Sequence, residues 1–184
     1  MASVLVVGGP GAGKSSVAEE LRRRGLRSVD ADFVLARWED TDGSPVSFPA
    51  NAPSMEWIER HRWHWVAERV DQVLAESHEH PLVVCGTAAN MGDYLVRFDL
   101  LILLQVDELT MSRRLTDPSR TNDFGKSEAT LQWSLDWRPR LEAEMLAVGA
   151  HPVDARQPLS AVTDEVVHLA TTAGIQLPVA KDTY

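Results

Sequence analysis

Ser3-Val4-Leu5-Val6-Val7-Gly8-Gly9-Pro10-Gly11-Ala12-Gly13-Lys14-Ser15-Ser16 decides the fold. Residues 8–15 fit G-x-x-x-x-G-K-[ST], the phosphate-binding loop or Walker A pattern. Glycines at these positions let backbone N–H groups turn inward on a polyphosphate. Lys14 is then expected to reach the β- and γ-phosphates, and the Ser15 hydroxyl to meet Mg²⁺. The run before the loop is short, apolar and rich in β-branched residues, which reads as a buried strand. After it, Val17, Ala18 and Leu21 recur at helical spacing, and Arg22-Arg23-Arg24-Gly25 marks a helix end. A helix that starts at the loop also points its positive dipole end at a bound anion. A dinucleotide-binding reading fails, because Gly9-x-Gly11 is followed three positions on by Lys14 and not by glycine.

The 184 residues suit one well-cored domain. A net charge of −9 disfavours a nonspecific nucleic-acid or anionic-membrane binder. The single cysteine, Cys85, excludes an internal disulfide and suits a reducing compartment. No secretory signal is visible ahead of Gly8, and the apolar run Leu100–Leu104 is too short to span a bilayer. The expectation is a cytoplasmic protein, monomer or homodimer, with no nucleic-acid or membrane partner.

Working outward, strands are expected at 3–7, 26–29, 82–85, 99–106 and 150–153. Helices are expected at about 14–24, 31–38, 54–77, 107–115, 127–147 and 158–173. Strands alternating with helices imply an α/β fold, a five-stranded parallel sheet with helices on both faces. Two segments stand apart. Residues 39–53 carry three prolines and a glycine and cannot be helical, while 116–126 are polar and carry cations. In the expected helix 54–77, Met55, Ile58, Val66, Val70, Val73 and Leu74 make the apolar face. Trp57, His61, His64 and Glu68 lie opposite. Trp57 there closes over a substrate, faces a partner subunit or covers loop 39–53. The tail 178–184 is expected to fray.

Asp30-Ala31-Asp32 follows the second strand, Gly86-Thr87-Ala88 the third, an arginine-bearing segment the fourth, and Asp154-Ala155-Arg156-Gln157-Pro158-Leu159 the fifth. In this order the chain resembles the small P-loop kinases of the nucleoside-monophosphate-kinase and shikimate-kinase group, over roughly residues 2–174. The resemblance implies a three-layer P-loop NTPase fold with a mobile lid at 116–126 and an acceptor region at about 31–77. It implies ATP-dependent phosphoryl transfer to a small molecule, with Mg²⁺. The nucleotide set becomes Gly8, Gly9, Pro10, Gly11, Ala12, Gly13, Lys14, Ser15 and Ser16, with Arg114 (or Arg113) and, beside the base, Arg156. Asp30 and Asp32 match an Asp-x-Asp element. Asp30 with Ser15 would organise the metal, and Asp32 would orient or deprotonate the acceptor hydroxyl. Asp30 equally reads as a helix cap. Gly86 and Thr87 take the place of a substrate loop that is richer in glycine in the family. Thr87 reads equally as an ordinary turn residue, and Asn90 as an acceptor contact or a helix cap. Arg120 is the lid arginine, with Lys126 as the other lid cation. Arg138, beside Arg140 and the kinking Pro139, holds the place of an acceptor-binding arginine or is a surface charge.

A different reading is an ATP-hydrolysing switch or regulatory protein without an acceptor. It rests on Leu101–Glu108, which imitates a Walker B strand ending in Asp107-Glu108, although Asp107 also reads as a helix cap. A GTPase reading of Asp40-x-x-Gly43 lacks a strand before it, and a dead site is disfavoured by Lys14, Ser15 and Asp32. His61, His64 and His78-Glu79-His80 lack the spacing of a transition-metal site. Trp133 and Trp137, one turn apart, read as core contacts. The acceptor stays open. A nucleoside monophosphate would call on Arg37, Arg60 or Arg62; neutral polyols, amino sugars or shikimate-like acids would need other contacts. Ser44, Ser47, Asn51, Phe48 and Trp57 are candidates for those contacts, and Glu39, Asp40 and Asp42 disfavour an anion if their loop lines the pocket.

Overall fold

The structure is a computed structural model that describes residues 2–49, 53–77 and 80–177. Five strands, β1 (Ser3–Gly8), β2 (Ser28–Asp30), β6 (Leu82–Cys85), β7 (Leu100–Gln105) and β8 (His151–Asp154), form a parallel sheet in the order β2-β6-β1-β7-β8. The chain leaves β1 toward β2 on one side and leaves β6 toward β7 on the other, so its connections diverge between the neighbouring strands β1 and β6. In open α/β sheets such a point leaves a crevice at the carboxyl ends of the strands.

Strand alternation sorts the core into two layers. Val4 and Val6 face helices α1 (Lys14–Arg23), α5 (Glu108–Leu115) and α7 (Leu159–Thr172) through Val17, Leu21, Met111, Leu115, Val162 and Val166. Leu5 and Val7 face the other way. They pack with Val70, Val73 and Leu74 of α4 (Ala67–Glu76) and Leu141 and Met145 of α6 (Glu128–Ala147). The sheet is therefore covered on both faces, the three-layer α/β arrangement. Gly25, at φ +75°, ends α1 with Leu26 N–H donating to the Leu21 carbonyl at 2.9 Å. Among the described residues no helix is long and apolar enough to cross a membrane.

Residues 31–77 depart from expectation. The helix expected at 31–38 is only α2 (Ala31–Val34), after which the chain extends as β3 (Ala36–Glu39). The expected helix 54–77 is three elements: α3 (Met55–Arg60), β5 (Arg62–Trp65) and α4. His61 ends α3 in extended geometry, φ −122° and ψ 155°. The supposed polar face of Trp57, His61, His64 and Glu68 is thus split across separate elements. Trp63 and Trp65 sit two apart and share one face of a strand, a period-two signal hidden among apolar residues that also fit a helix. Asn90 secures β5 from its free edge. Its side chain accepts from Trp65 N–H and donates to the Trp65 carbonyl, both at 2.9 Å, while Ala89 N–H donates to the Trp63 carbonyl at 2.8 Å. Asn90 thus stands at the N-cap position of the 3₁₀ helix Met91–Arg97, but its side chain is spent on β5 and makes no capping bond.

Residues 39–49 are non-helical, as their prolines require, yet ordered as a hairpin. Gly43 turns at φ +84° and β4 (Pro45–Val46) pairs antiparallel with β3. With β5 this makes a second sheet in the order β4-β3-β5. Asn51, His78, Glu79 and the tail 178–184 lie outside the described residues.

Candidate active site

Three glycines shape the loop between β1 and α1. At Gly8 a Cβ would meet the Leu104 carbonyl oxygen at 2.8 Å, and Gly11 and Gly13 hold φ of +76° and +99°. Gly9 and Ala12 are buried, Pro10 half-buried, and Ser15 and Ser16 exposed on the first turn of α1. The Lys14 ammonium is buried and donates to the carbonyls of Gly8 at 2.9 Å and Gly9 at 3.2 Å. Burial lowers its pKa below the lysine value, and the charges of Asp32 and Asp30 oppose the shift.

Those carboxylates arrive from the end of β2. Asp30 is buried and caps α2, accepting from Asp32 N–H at 3.1 Å, so its capping role is real. Asp32 is half-buried, and Trp63 Nε1–H approaches its Oδ1 at 3.4 Å. Burial raises the Asp32 pKa, with Lys14 pulling it back down. Gly86 explains how α2 comes so close. A Cβ there would lie 2.4 Å from that of Ala31, so only glycine lets the carboxylate-bearing turn abut the end of β6. Thr87 is buried and donates from Oγ1 to the Gly8 carbonyl at 3.0 Å, tying the third strand end to the phosphate loop. Its hydroxyl is spent on that bond and not on a free pocket. Cys85, beside Gly86, is a buried core residue whose thiol pKa burial pushes up.

The segment 116–126 folds over this floor. Arg120 donates to the Phe124 carbonyl, and Lys126 Nζ donates to the Arg120 carbonyl at 2.5 Å. Burial lowers the Arg120 pKa, and the charges of Asp123 and Asp32 oppose the shift. Gly125 turns at φ +97° against Leu115. Of the two arginines at the end of α5, Arg113 is exposed and Arg114 points at the loop. Arg114 donates to Gly11 O at 3.3 Å and to Ala155 O at 2.8 Å, bridging the phosphate loop and the β8–α7 turn.

Other candidates lie further off. Arg156 is exposed and paired in parallel with Asp154 through Nε at 2.8 Å and Nη2 at 2.9 Å, on the rim of a cavity that also meets Gln105 and Asp107. Asp107 caps α5, accepting from Thr110 N–H at 2.7 Å, and meets Arg156 at 3.5 Å. Its carboxylate is engaged away from Lys14, which removes the Walker B reading's support. Arg138 packs its stem beneath Gly9 and donates to the Val106 carbonyl and Glu142, both at 3.2 Å. It braces the loop, and its bonded donors point toward β7, not Asp32. Among the described residues no three His, Cys, Asp or Glu side chains cluster as a metal site. His61 stacks on Trp57 at 4.3 Å and His64 pairs with Glu39 at 3.0 Å.

Sequence reasoning missed an aromatic wall. Trp38 centres it, with ring centroids 4.9 Å from Trp57, 5.3 Å from Trp63, 5.8 Å from Phe48 and 6.1 Å from Phe124. Phe124 continues to Trp133 at 5.5 Å, and Trp133 stacks on Trp137 at 5.1 Å. Trp57 thus covers the Phe48 loop, as one of its three readings held. The two tryptophans of α6 are half-buried, Trp137 against the core and Trp133 on the wall. The available signal was the alternation of Trp63 and Trp65, together with Trp38 five residues ahead of the turn glycine Gly43.

A family model described as AAA domain matches residues 4–130. A search of curated proteins gave no match. Among solved structures, the fold is shared with shikimate kinase from Acinetobacter baumannii in complex with shikimate. The TM-score is 0.60 and the identity 16%, over 96% of each chain. A sugar kinase from Janibacter sp. HTCC2649 gives a TM-score of 0.56 and 17% identity, over 98% of this chain and 99% of that one. A gluconokinase from Sinorhizobium meliloti 1021 gives 0.52 and 18%, over 93% and 92%. These likenesses show the fold.

Proposed function

The chain belongs to the AAA domain family, and on that footing we propose that it is a P-loop phosphotransferase moving the γ-phosphoryl group of Mg·ATP to a hydroxyl of a small molecule. The observation that carries this is the glycine loop with the Lys14 ammonium buried on it, 2.9 Å from the Gly8 carbonyl, and the Asp30–Asp32 turn held against the end of β6 by Gly86, whose neighbour Thr87 bonds the same Gly8 carbonyl at 3.0 Å. In this reading the protein is one domain, with 31–77 serving the acceptor and 116–126 as lid. The acidic balance of −9 favours a small acceptor over a polyanion.

Nucleotide phosphates would lie along the backbone N–H groups of Gly9–Ser15, on the positive end of α1. Lys14 would exchange its carbonyl partners for phosphate oxygens, and Arg114 would hold the loop against the β8–α7 turn. Mg²⁺ fits the hard oxygen donors present, the exposed Ser15 hydroxyl and the Asp30 or Asp32 carboxylate, since this ion takes few protein ligands alongside phosphate and water. When bound it supplies charge neutralisation between the β- and γ-phosphates. Asp32 would accept the acceptor's proton as that oxygen bonds to the γ-phosphorus. The bond from phosphorus to the β,γ-bridging oxygen breaks, and ADP leaves with that oxygen. Arg120 would stabilise the charge spread over the transferring group. Closure of the lid would keep water from taking the acceptor's place.

The test is incubation with Mg·ATP and a pooled library of metabolites and antibiotics, read by mass spectrometry for a species gaining one phosphoryl group. A phosphorylated product that disappears with Asp32→Asn is expected. ADP release with no phosphorylated species would contradict the reading and favour a hydrolytic switch.

A further inference from the structure

The second sheet has two unlike faces, and they speak to the acceptor's chemistry. Register places Trp38 opposite Trp63 and Ala36 opposite Trp65 on one face, with Arg37 opposite His64 and Glu39 opposite Arg62 on the other. The first face looks at the site: Trp63 reaches Asp32 and Trp38 meets Phe124 of the lid. The second is polar and self-satisfied. Arg37 Nε donates to Glu39 at 2.7 Å, and His64 meets the other Glu39 oxygen at 3.0 Å. The remaining arginines that might recognise an anion are also turned away. Arg62 is exposed and donates to the Glu59 and His61 carbonyls at 2.5 and 3.0 Å, and Arg60 is exposed beside Glu56. Among the described residues, Arg37, Arg60 and Arg62 are therefore engaged elsewhere and make no contact with Asp32.

What the proposed acceptor region does bring is aromatic surface. Trp65 is 2% exposed, as a core ring should be. Trp38, Trp57, Trp63 and Phe124 stay half-buried even though they pack on one another. Half-exposed indoles beside a carboxylate, without a cation of their own, suit a flat ring that bears a hydroxyl. A positively charged acceptor would meet Lys14 and Arg120; an anionic one would meet Asp30 and Asp32, while those two cations are committed, in the phosphotransferase reading, to the nucleotide and the transferring phosphoryl group.

We infer that the acceptor is an uncharged, ring-bearing hydroxyl compound that stacks on the Trp38–Trp63 face and presents its hydroxyl to Asp32. This rests on the phosphotransferase reading for the reaction, but not for the binding. The experiment uses matched compounds that differ in charge: nucleosides against their 5′-monophosphates, and glucose against glucosamine and glucuronate. Binding is read by quenching of intrinsic tryptophan fluorescence with Mg²⁺ and a non-hydrolysable ATP analogue. Transfer is read by mass spectrometry with Mg·ATP. A neutral member should bind at least about tenfold more tightly than its charged counterparts. Trp38→Ala should weaken that binding about tenfold or more; Trp38→Phe should retain most of it if the alanine variant folds poorly. Arg37→Gln and Arg62→Gln should leave it within about twofold.

Neutral binding without transfer would sustain the inference and overturn the kinase reading. Preferred binding and transfer of a charged member, weakened by Arg37→Gln or Arg62→Gln, would sustain the kinase reading and overturn the inference. No binding by any member would overturn the inference.

Discussion

Asp32 lies beside the Lys14 ammonium and under the Trp63 indole, with its pKa raised by burial against the pull of Lys14. A folded-state value above the unfolded one means that the ionised carboxylate costs stability. That cost is absent below the unfolded pKa, near 3.9, and grows as pH rises through the window up to the raised value. Asp32→Asn should therefore melt at a higher temperature than the parent at pH 7 while losing phosphoryl transfer more than ATP binding. A lower melting temperature, or equal losses of transfer and binding, would remove Asp32 from the acceptor's side of the reaction. The same raised pKa should place the acidic limb of the pH–rate profile above the ordinary aspartate range, with activity rising as Asp32 ionises. Gly86 gives a prediction of the opposite sign. Its Cβ would sit 2.4 Å from that of Ala31, so Gly86→Ala must push α2 off the end of β6. Overpacking of this kind costs about 1–3 kcal/mol. The melting temperature should drop by several degrees and acceptor KM should rise; an unchanged melting curve would show that the contact relaxes without cost.

At the scale of elements, the parallel sheet and its phosphate loop were legible because several local signals agreed. The β-branched run before Gly8, the glycine spacing and the helical period after Lys14 all point to strand–loop–helix, and β1 and α1 form there. The second sheet was not legible. Ala36–Glu39 and Arg62–Trp65 are short, and each acquires its strand character from the other and from Asn90 across the edge. Such pairing is tertiary and leaves little trace in either segment alone. Asp30, Asp32 and Arg120 were singled out by their order after strands, whereas Trp38 and Trp63 passed unnoticed with the sheet that carries them. The lid was visible as a polar, cationic break, but not its internal ties from Arg120 to the Phe124 carbonyl and from Lys126 to the Arg120 carbonyl. These ties hold Arg120 within its own loop. Arg120→Ala should lower kcat by about 10³-fold, the lower range for an arginine on a transferring phosphoryl group, with ATP affinity little changed. An unaltered kcat would move that role to Lys126 or Arg114.

Over the whole molecule, the parallel sheet delivers three strand ends to one crevice: β1 with the phosphate loop, β2 with the carboxylates, and β6 with the glycine that lets them approach. Thr87 and Arg114 then fasten the loop to β6 and to the β8–α7 turn. The second sheet adds ring surface on one side and the lid adds a cation on the other. Each unit alone would be an ordinary piece of an α/β fold; in the proposed reaction they would together hold a nucleotide phosphate, an acceptor hydroxyl and a proton acceptor near one point. Lys14 is the group all of them converge on. The decisive measurement is the rate of γ-phosphoryl transfer by Lys14→Ala against the parent, with circular dichroism and melting temperature recorded on the same samples. Transfer should fall by orders of magnitude while the circular dichroism spectrum of the folded protein is retained. Parent-level transfer by a folded Lys14→Ala protein would contradict the account at its centre.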